Sequence, residues 1–181
     1  MLLVGSGHRI RDQVAALKSR EGCRAPSETV LAGVAAAATV ATVWTIGYED
    51  RDLGTLVDVL QDTGVQRVVD VRETPRSRKK GLSKGPLSEA LGEVGIAYEN
   101  RKSLGVPKAV RDPYKAGGSW EDFAAWYIDH LEALEEEVEG LREVATRERV
   151  ALLCYEADAS GCHRGLLAAR VAGPGLRVEH L

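Results

Sequence analysis

The stretch "RVALLCYEADASGCHRGLLAARVAG", residues 149–173, sets an unbroken apolar run against a polar loop and then a helical segment. From Val150 to Cys154 the run has no position suited to water, so a strand here is buried on both faces. That is the habit of a parallel sheet covered by helices on each side. "HRGLLAARVAG" reads as the helix that follows.

Upstream segments repeat the alternation. "VWTIG" (43–47) is a β-branched and aromatic strand, and "DLGTLVDVLQDTG" (52–64) carries Leu53, Leu56, Val57 and Leu60 at helical spacing before a closing Gly64. "RVVDV" (67–71) is a second strand, "PLSEALGEVG" (86–95) a second helix, "IAYEN" (96–100) a third strand and "LRVEHL" (176–181) a last one. Residues 101–118, "RKSLGVPKAVRDPYKAGG", hold two Pro and three Gly without clear period and read as a long loop, of the length usual for functional lids. Ser119 then caps a helix by the S-x-x-D pattern with Asp122. Phe123, Tyr127, Leu131, Leu134, Val138 and Leu141 give that helix one apolar stripe, and "EALEEEVE" (132–139) is its solvated face. The expected fold is α/β and three-layered: a mainly parallel sheet of about five strands with helices on both faces, Rossmann-like or flavodoxin-like.

The chain has 181 residues, enough for one domain and an appendage, and its 44% hydrophobic and 28% charged content is that of a globular protein. A net charge of −3 excludes a generally basic nucleic-acid or membrane binder, so any basic site must be local. Three cysteines, Cys23, Cys154 and Cys162, are too few, and odd in number, for a disulfide framework, which points to a reducing cytoplasm. "VLAGVAAAATVATVWTI" (30–46) superficially resembles an anchor segment, but it is weakly hydrophobic, short of the roughly 20 residues a spanning helix needs, and its end is required as a strand. Residues 1–42 are therefore expected to be a flexible or weakly ordered extension, and 43–181 a single α/β domain. Met1 is the only methionine, so a start at a later, non-Met codon is compatible with the sequence.

Right-handed crossovers place every strand-to-helix loop at one edge of a parallel sheet, the edge where open α/β folds bind ligands. Three such loops are chemically loaded. In the loop after the fourth strand, Cys162 precedes His163 and Arg164 at a helix N-terminus, where the dipole lowers a thiol pKa and favours anions. Cys162 is the candidate nucleophile, and packing is the default role of Cys154. A zinc site would recruit Cys154, Cys162 and His163, but C-x7-C-H lacks the usual C-x2-4-C spacing and no second cysteine pair exists. No cofactor is predicted, and zinc, as in a metal-binding structural protein, is disfavoured by this spacing but stays open. After the second strand, Arg72, Arg76, Ser77 and Arg78 form a candidate anion-binding loop with Arg164, and Asp70 is placed to orient an Arg or a loop amide. Tyr48 and Glu49 follow the first strand, and Glu156 is a second carboxylate at the same edge. Glu49, Glu156 and His163 are the candidates for proton handling.

Taken together, "TIGYED", "VVDVRETPRSRKKGLSK", "LG" followed by Pro, "LLCYEADASGCHR" and a terminal "VEHL" make the chain resemble the bacterial and archaeal family of the domain of unknown function 488, from Val43 to Leu181. The resemblance implies a compact α/β domain with a shared polar site at Tyr48, Glu49, Asp70, Arg72, Pro75, Ser77, Cys154, Glu156, Cys162, His163 and Arg164, and no established activity. Asp50 departs from the family pattern, which has Gly after the Tyr-Glu pair, and this could restrict the first loop. "VVDVRE" is also similar to a strand of rhodanese-like domains, although their Cys-x5-Arg loop is absent. Three functions stay open: an enzyme, a thiol-dependent transferase or hydrolase, whose anionic ligand bears phosphate and can be a small molecule or nucleic acid; a nucleic-acid-binding or regulatory module with structural cysteines; and rhodanese-like sulfur or phosphoryl transfer. None involves a membrane.

Overall fold

The computed structural model describes residues 40–181. The expected extension lies outside the described residues as far as residue 39, and the first strand begins at Ala41, two residues ahead of the expected boundary. Elements follow in the order β1 (Ala41–Gly47), α1 (Leu53–Asp62), β2 (Arg67–Asp70), α2 (Lys84–Glu93), β3 (Ala97–Asn100), α3 (Lys108–Lys115), α4 (Trp120–Glu132), α5 (Glu135–Arg147), β4 (Val150–Cys154), α6 (His163–Val171) and β5 (Leu176–His180). All paired strands run parallel, in the order β3-β2-β4-β1-β5. The most apolar strand, β4, takes the centre, and all five of its residues are buried.

Period-two alternation divides the core between the two faces of this sheet. Val150, Leu152 and Cys154, with Val43 and Val69, pack against α4, α5 and α6, whereas Ala151 and Leu153, with Trp44, Ile46 and Val68, pack against α1 and α2. Each fully buried Val or Leu contributes about 1.5–3 kcal/mol of hydrophobic stabilisation. Local signals agree with this packing. Asp52 caps α1 by accepting the Thr55 amide at 2.8 Å, and Gly64 after it adopts φ 70°.

The layers also position the site. The chain leaves β1 and β2 for one layer of helices but leaves β4, which lies between them, for the other. A crevice therefore opens at the C-terminal end of β4, as at the switch points where open α/β sheets bind ligands.

Two elements differ from the sequence reading. The helix expected after Ser119 is two: α4 ends at Glu132, α5 starts at Glu135, and Leu134 sits between them in a non-helical conformation (φ −116°, ψ 27°). Each half carries its own buried triplet, Phe123, Tyr127 and Leu131 in α4 and Val138, Leu141 and Ala145 in α5. Glu135, Glu136 and Glu137 then fall in the first turn of α5, where the helix dipole favours them. The second difference is residues 101–118, which hold a short 3-10 turn at Lys102–Leu104 and the helix α3. No residue of α3 is buried and Pro113 lies inside it, so it has no apolar period to read.

Candidate functional site

Loops from four strands converge at this crevice and enclose a cleft of about 790 Å³. Tyr48 and Glu49 come from β1, the segment Arg72–Lys79 from β2, Tyr155, Glu156 and Gly161 to His163 from β4, and Val106, Arg111, Tyr114, Lys115 and Phe123 from the long connection after β3. Close backbone approach holds these loops together. A Cβ on Gly47 would lie 1.8 Å from the Glu156 carbonyl oxygen, and one on Gly105 would lie 2.2 Å from the Glu73 nitrogen. Asp50, the departure from the family pattern, is exposed, and no non-glycine residue among those described needs a positive φ.

Thiols, imidazole and carboxylate meet at the cleft floor. Cys154 is the last residue of β4, Cys162 the N-cap of α6 and His163 its first residue, and all three are buried. Both thiols donate to Glu156 Oε2, Cys154 at 3.0 Å and Cys162 at 3.2 Å. Each sulfur lies 3.8 Å from His163 Nδ1. The other ring nitrogen, Nε2, is 3.0 Å from the Val71 carbonyl oxygen, and because a carbonyl only accepts, Nε2 carries the proton. The distance from Cys154 to Cys162 along the chain is bridged because the strand end and the helix start abut at this edge.

Burial works against charge on Glu156, but hydrogen bonds from the Cys154 and Cys162 thiols and the nearby Lys115 ammonium outweigh it and draw the carboxyl down to about 2. Burial and the neighbouring Cys154 push the Cys162 thiol well above its ordinary value. The lowering expected from a helix N-terminus is therefore overcome, because Cys162 is 2% exposed. Burial opposes charge on His163 too, but the Cys162 thiol, the Val71 carbonyl and Glu156 push its pKa up.

Beside the floor, Asp70 and Arg72 form a buried pair. Arg72 Nε donates to Asp70 Oδ1 at 2.8 Å and its NH2 to Oδ2 at 2.5 Å, while NH1 donates to the Tyr48 hydroxyl and the Leu82 carbonyl. Asp70 is hydrogen-bonded to Arg72, and Arg72 touches the cleft with its charge already met. Arg164 is 1% exposed and lies away from the cleft lining, donating to the Glu156 and Ala157 carbonyls, so it shapes the β4 loop. Glu49 helps from the other side by accepting the Ala157 amide at 3.0 Å. Ser77 accepts the Lys79 amide at 3.1 Å, and Lys79 is itself spent on the Tyr48, Glu49 and Arg51 carbonyls. Arg76 and Arg78 are different: both are exposed on the cleft rim and make no ion pair or side-chain hydrogen bond among the described residues.

Sequence reasoning missed the far wall. Lys115 Nζ lies 3.2 Å from Glu156 Oε1 and over the Tyr155 ring, and Arg111 and Tyr114 stand near it. Their one signal was their place in a long polar segment of lid length. Tyr127, expected only as part of an apolar stripe, sets its ring edge-on to His163 with centroids 5.3 Å apart and donates to the Leu104 carbonyl. A second, more open depression near Ser103 and Glu137 has several of its polar groups engaged with one another, with Ser103 donating to Glu137, Arg101 paired with Glu99, and His130 on the Ser103 carbonyl.

The model of the family described as the domain of unknown function DUF488 matches residues 52–171. The chain belongs to this family. No curated protein and no solved structure matches it. The DUF488 match holds the basic loop, the lid segment and the whole thiol loop, while Tyr48 and Glu49 precede it. Among the described residues, no helix is long and apolar enough to cross a membrane.

Proposed function

We propose that this DUF488 protein is a thiol-dependent transferase or hydrolase whose substrate carries an anionic, phosphate-type group. One observation carries the reading: two exposed arginines, Arg76 and Arg78, unpaired among the described residues, stand on the rim of a cleft whose floor holds the buried Cys154–Cys162–His163 cluster with the half-buried Glu156 beside it. Arginine suits phosphate by bidentate hydrogen bonding, and Arg111 faces the same space. A substrate anion at the rim places its reacting group over the floor, where Cys162, Glu156 and His163 are the candidates for catalysis and Glu49 shapes the loop that holds them. Two reduced, adjacent thiols suit a reducing cytoplasm.

Calorimetric titration with pyrophosphate and with a mixed-sequence single-stranded oligonucleotide tests the anion site. Pyrophosphate should bind the wild-type protein and lose about tenfold or more in affinity in the Arg76→Ala/Arg78→Ala double variant. A screen of phosphate-bearing substrates should find a turnover that Cys162→Ser abolishes. If pyrophosphate fails to bind, while the oligonucleotide binds with a log-log salt slope of about 0.7 per phosphate contacted, the protein is a nucleic-acid module and the enzyme reading is wrong.

A further inference from the structure

We propose that Cys154, Cys162 and His163, with Glu156 in the fourth position, bind a single divalent transition-metal ion, with zinc the best match. Three donor atoms converge, the Cys154 and Cys162 sulfurs and His163 Nδ1, all within 4.8 Å of one another, and Glu156 Oε2 reaches both sulfurs. The sulfurs each stand 3.8 Å from Nδ1 and 3.0 and 3.2 Å from Glu156 Oε2. Around a tetrahedral zinc with sulfur at about 2.3 Å and nitrogen at about 2.0 Å, sulfur and nitrogen ligands are separated by roughly 3.5 Å. The sulfur–nitrogen separations are within a few tenths of an ångström of this, and the Glu156 carboxylate, already on both sulfurs, swings in as the fourth ligand.

Supporting contacts are those that ligands need. His163 Nε2 donates to the Val71 carbonyl, which leaves the Nδ1 lone pair facing the sulfurs. Metal-binding histidines are held this way by a second hydrogen bond, which fixes both tautomer and ring direction. Lys115 holds the free oxygen of Glu156, Oε1, at 3.2 Å, so Oε2 is presented inward. Cys154, Cys162 and His163 are all buried, and rigid elements place them, the end of the central strand and the start of α6. Two sulfurs and an imidazole suit zinc and exclude the hard cations magnesium and calcium, which take oxygen.

The spacing C-x7-C-H argued against a metal in the sequence because usual zinc motifs bring both cysteines from one tight turn. Here the turn is replaced by the meeting of β4 with α6, and that meeting is invisible in spacing. Binding releases the two thiol protons to solvent and forms two metal–sulfur bonds, one metal–nitrogen bond and one metal–oxygen bond, with no change of oxidation state. Glu156 is the partly exposed member of the set and lines the cleft, so it is the ligand that a substrate anion would displace. The metal assignment stands on these residues alone, and only that last link rests on the function proposed above.

The test uses the full chain, reduced and stripped of metal under anaerobic conditions. Cobalt(II) added alone should bind one equivalent per chain and give a thiolate-to-cobalt charge-transfer band with the intense visible bands of a tetrahedral site; zinc should displace it. Cys154→Ser, Cys162→Ser and His163→Gln should each weaken zinc binding by about 100-fold or more and Glu156→Gln by about 10-fold, whereas Cys23→Ser should leave it unchanged. Circular dichroism of each variant separates lost ligation from lost fold, and the wild-type cobalt spectrum needs no variant. Absence of the charge-transfer band, retention of it in Cys162→Ser, or oxidation of Cys154 and Cys162 to a disulfide in preference to metal capture would overturn the assignment. Pyrophosphate binding to the metal-free protein is read separately, so failure of one proposal leaves the other standing.

Discussion

His163 donates its Nε2 proton to the carbonyl oxygen of Val71 at 3.0 Å, and this bond between α6 and the residue after β2 turns Nδ1 toward two sulfurs from different elements. The site is thus a product of strand order. Only because β4 lies between β1 and β2 do the loops after all three strands border the same cleft.

The Asp70–Arg72 pair is the electrostatic keystone of the cleft wall. Both side chains are buried and bonded in two places, and loss of one leaves the other charge uncompensated. Asp70→Asn or Arg72→Met should cost about 3–5 kcal/mol in urea unfolding. The double variant Asp70→Asn/Arg72→Met should cost clearly less than the sum of the two, and strict additivity would show that the pair is not coupled.

Gly47 fixes how closely the end of β1 meets the β4 loop. A methyl group there collides with the Glu156 carbonyl oxygen, which is backbone and has nowhere to rotate. Gly47→Ala is expected to destabilise the domain by about 1–3 kcal/mol and, by displacing Glu156, to weaken binding at the cleft floor. A thermal midpoint equal to that of the wild type would contradict this.

Arg164 holds the β4 loop through the Glu156 and Ala157 carbonyls. Arg164→Met keeps much of the volume but leaves two carbonyls unmet, a loss of about 1–3 kcal/mol. Amide exchange in residues 157–161 should accelerate more than exchange in β4. Uniform acceleration across the domain would instead mean that Arg164 supports the core and not the loop.

At the opposite edge of the sheet, a hydrogen bond from Arg67 holds the Glu148 carboxyl below its ordinary pKa. A depressed carboxylate stabilises the fold above its unfolded-state pKa and loses that contribution as pH falls through the folded-state value. Glu148→Gln should therefore lower the urea midpoint slightly at about pH 7 and make no difference at about pH 2. The effect is small because the pair is partly exposed. An equal deficit at both pH values would assign the effect to packing.

Much of the fold was legible because the strands and helices carry clean periods. The run from Val150 to Cys154 announces the central strand, and Asp122 three residues after Ser119 announces a cap that forms at 3.2 Å. The break at Leu134 was not legible, since Leu131, Leu134 and Val138 continue one helical stripe straight through it. Nor was α3, an exposed helix without a buried residue. Of the candidate site residues named from sequence, Tyr48, Glu49, Cys154, Glu156, Cys162 and His163 all line the cleft. What sequence could not show is how buried each side chain is. Burial spends Arg72 and Arg164 on internal partners and raises the Cys162 thiol that position alone would lower.

X-ray absorption at the zinc edge of the reduced, zinc-loaded protein tests the central claim most directly. Two sulfur neighbours at about 2.3 Å and two nitrogen or oxygen neighbours at about 2.0 Å are expected, with one sulfur lost in Cys162→Ser. A shell of oxygen and nitrogen alone, or a sulfur count unchanged by that substitution, would contradict it.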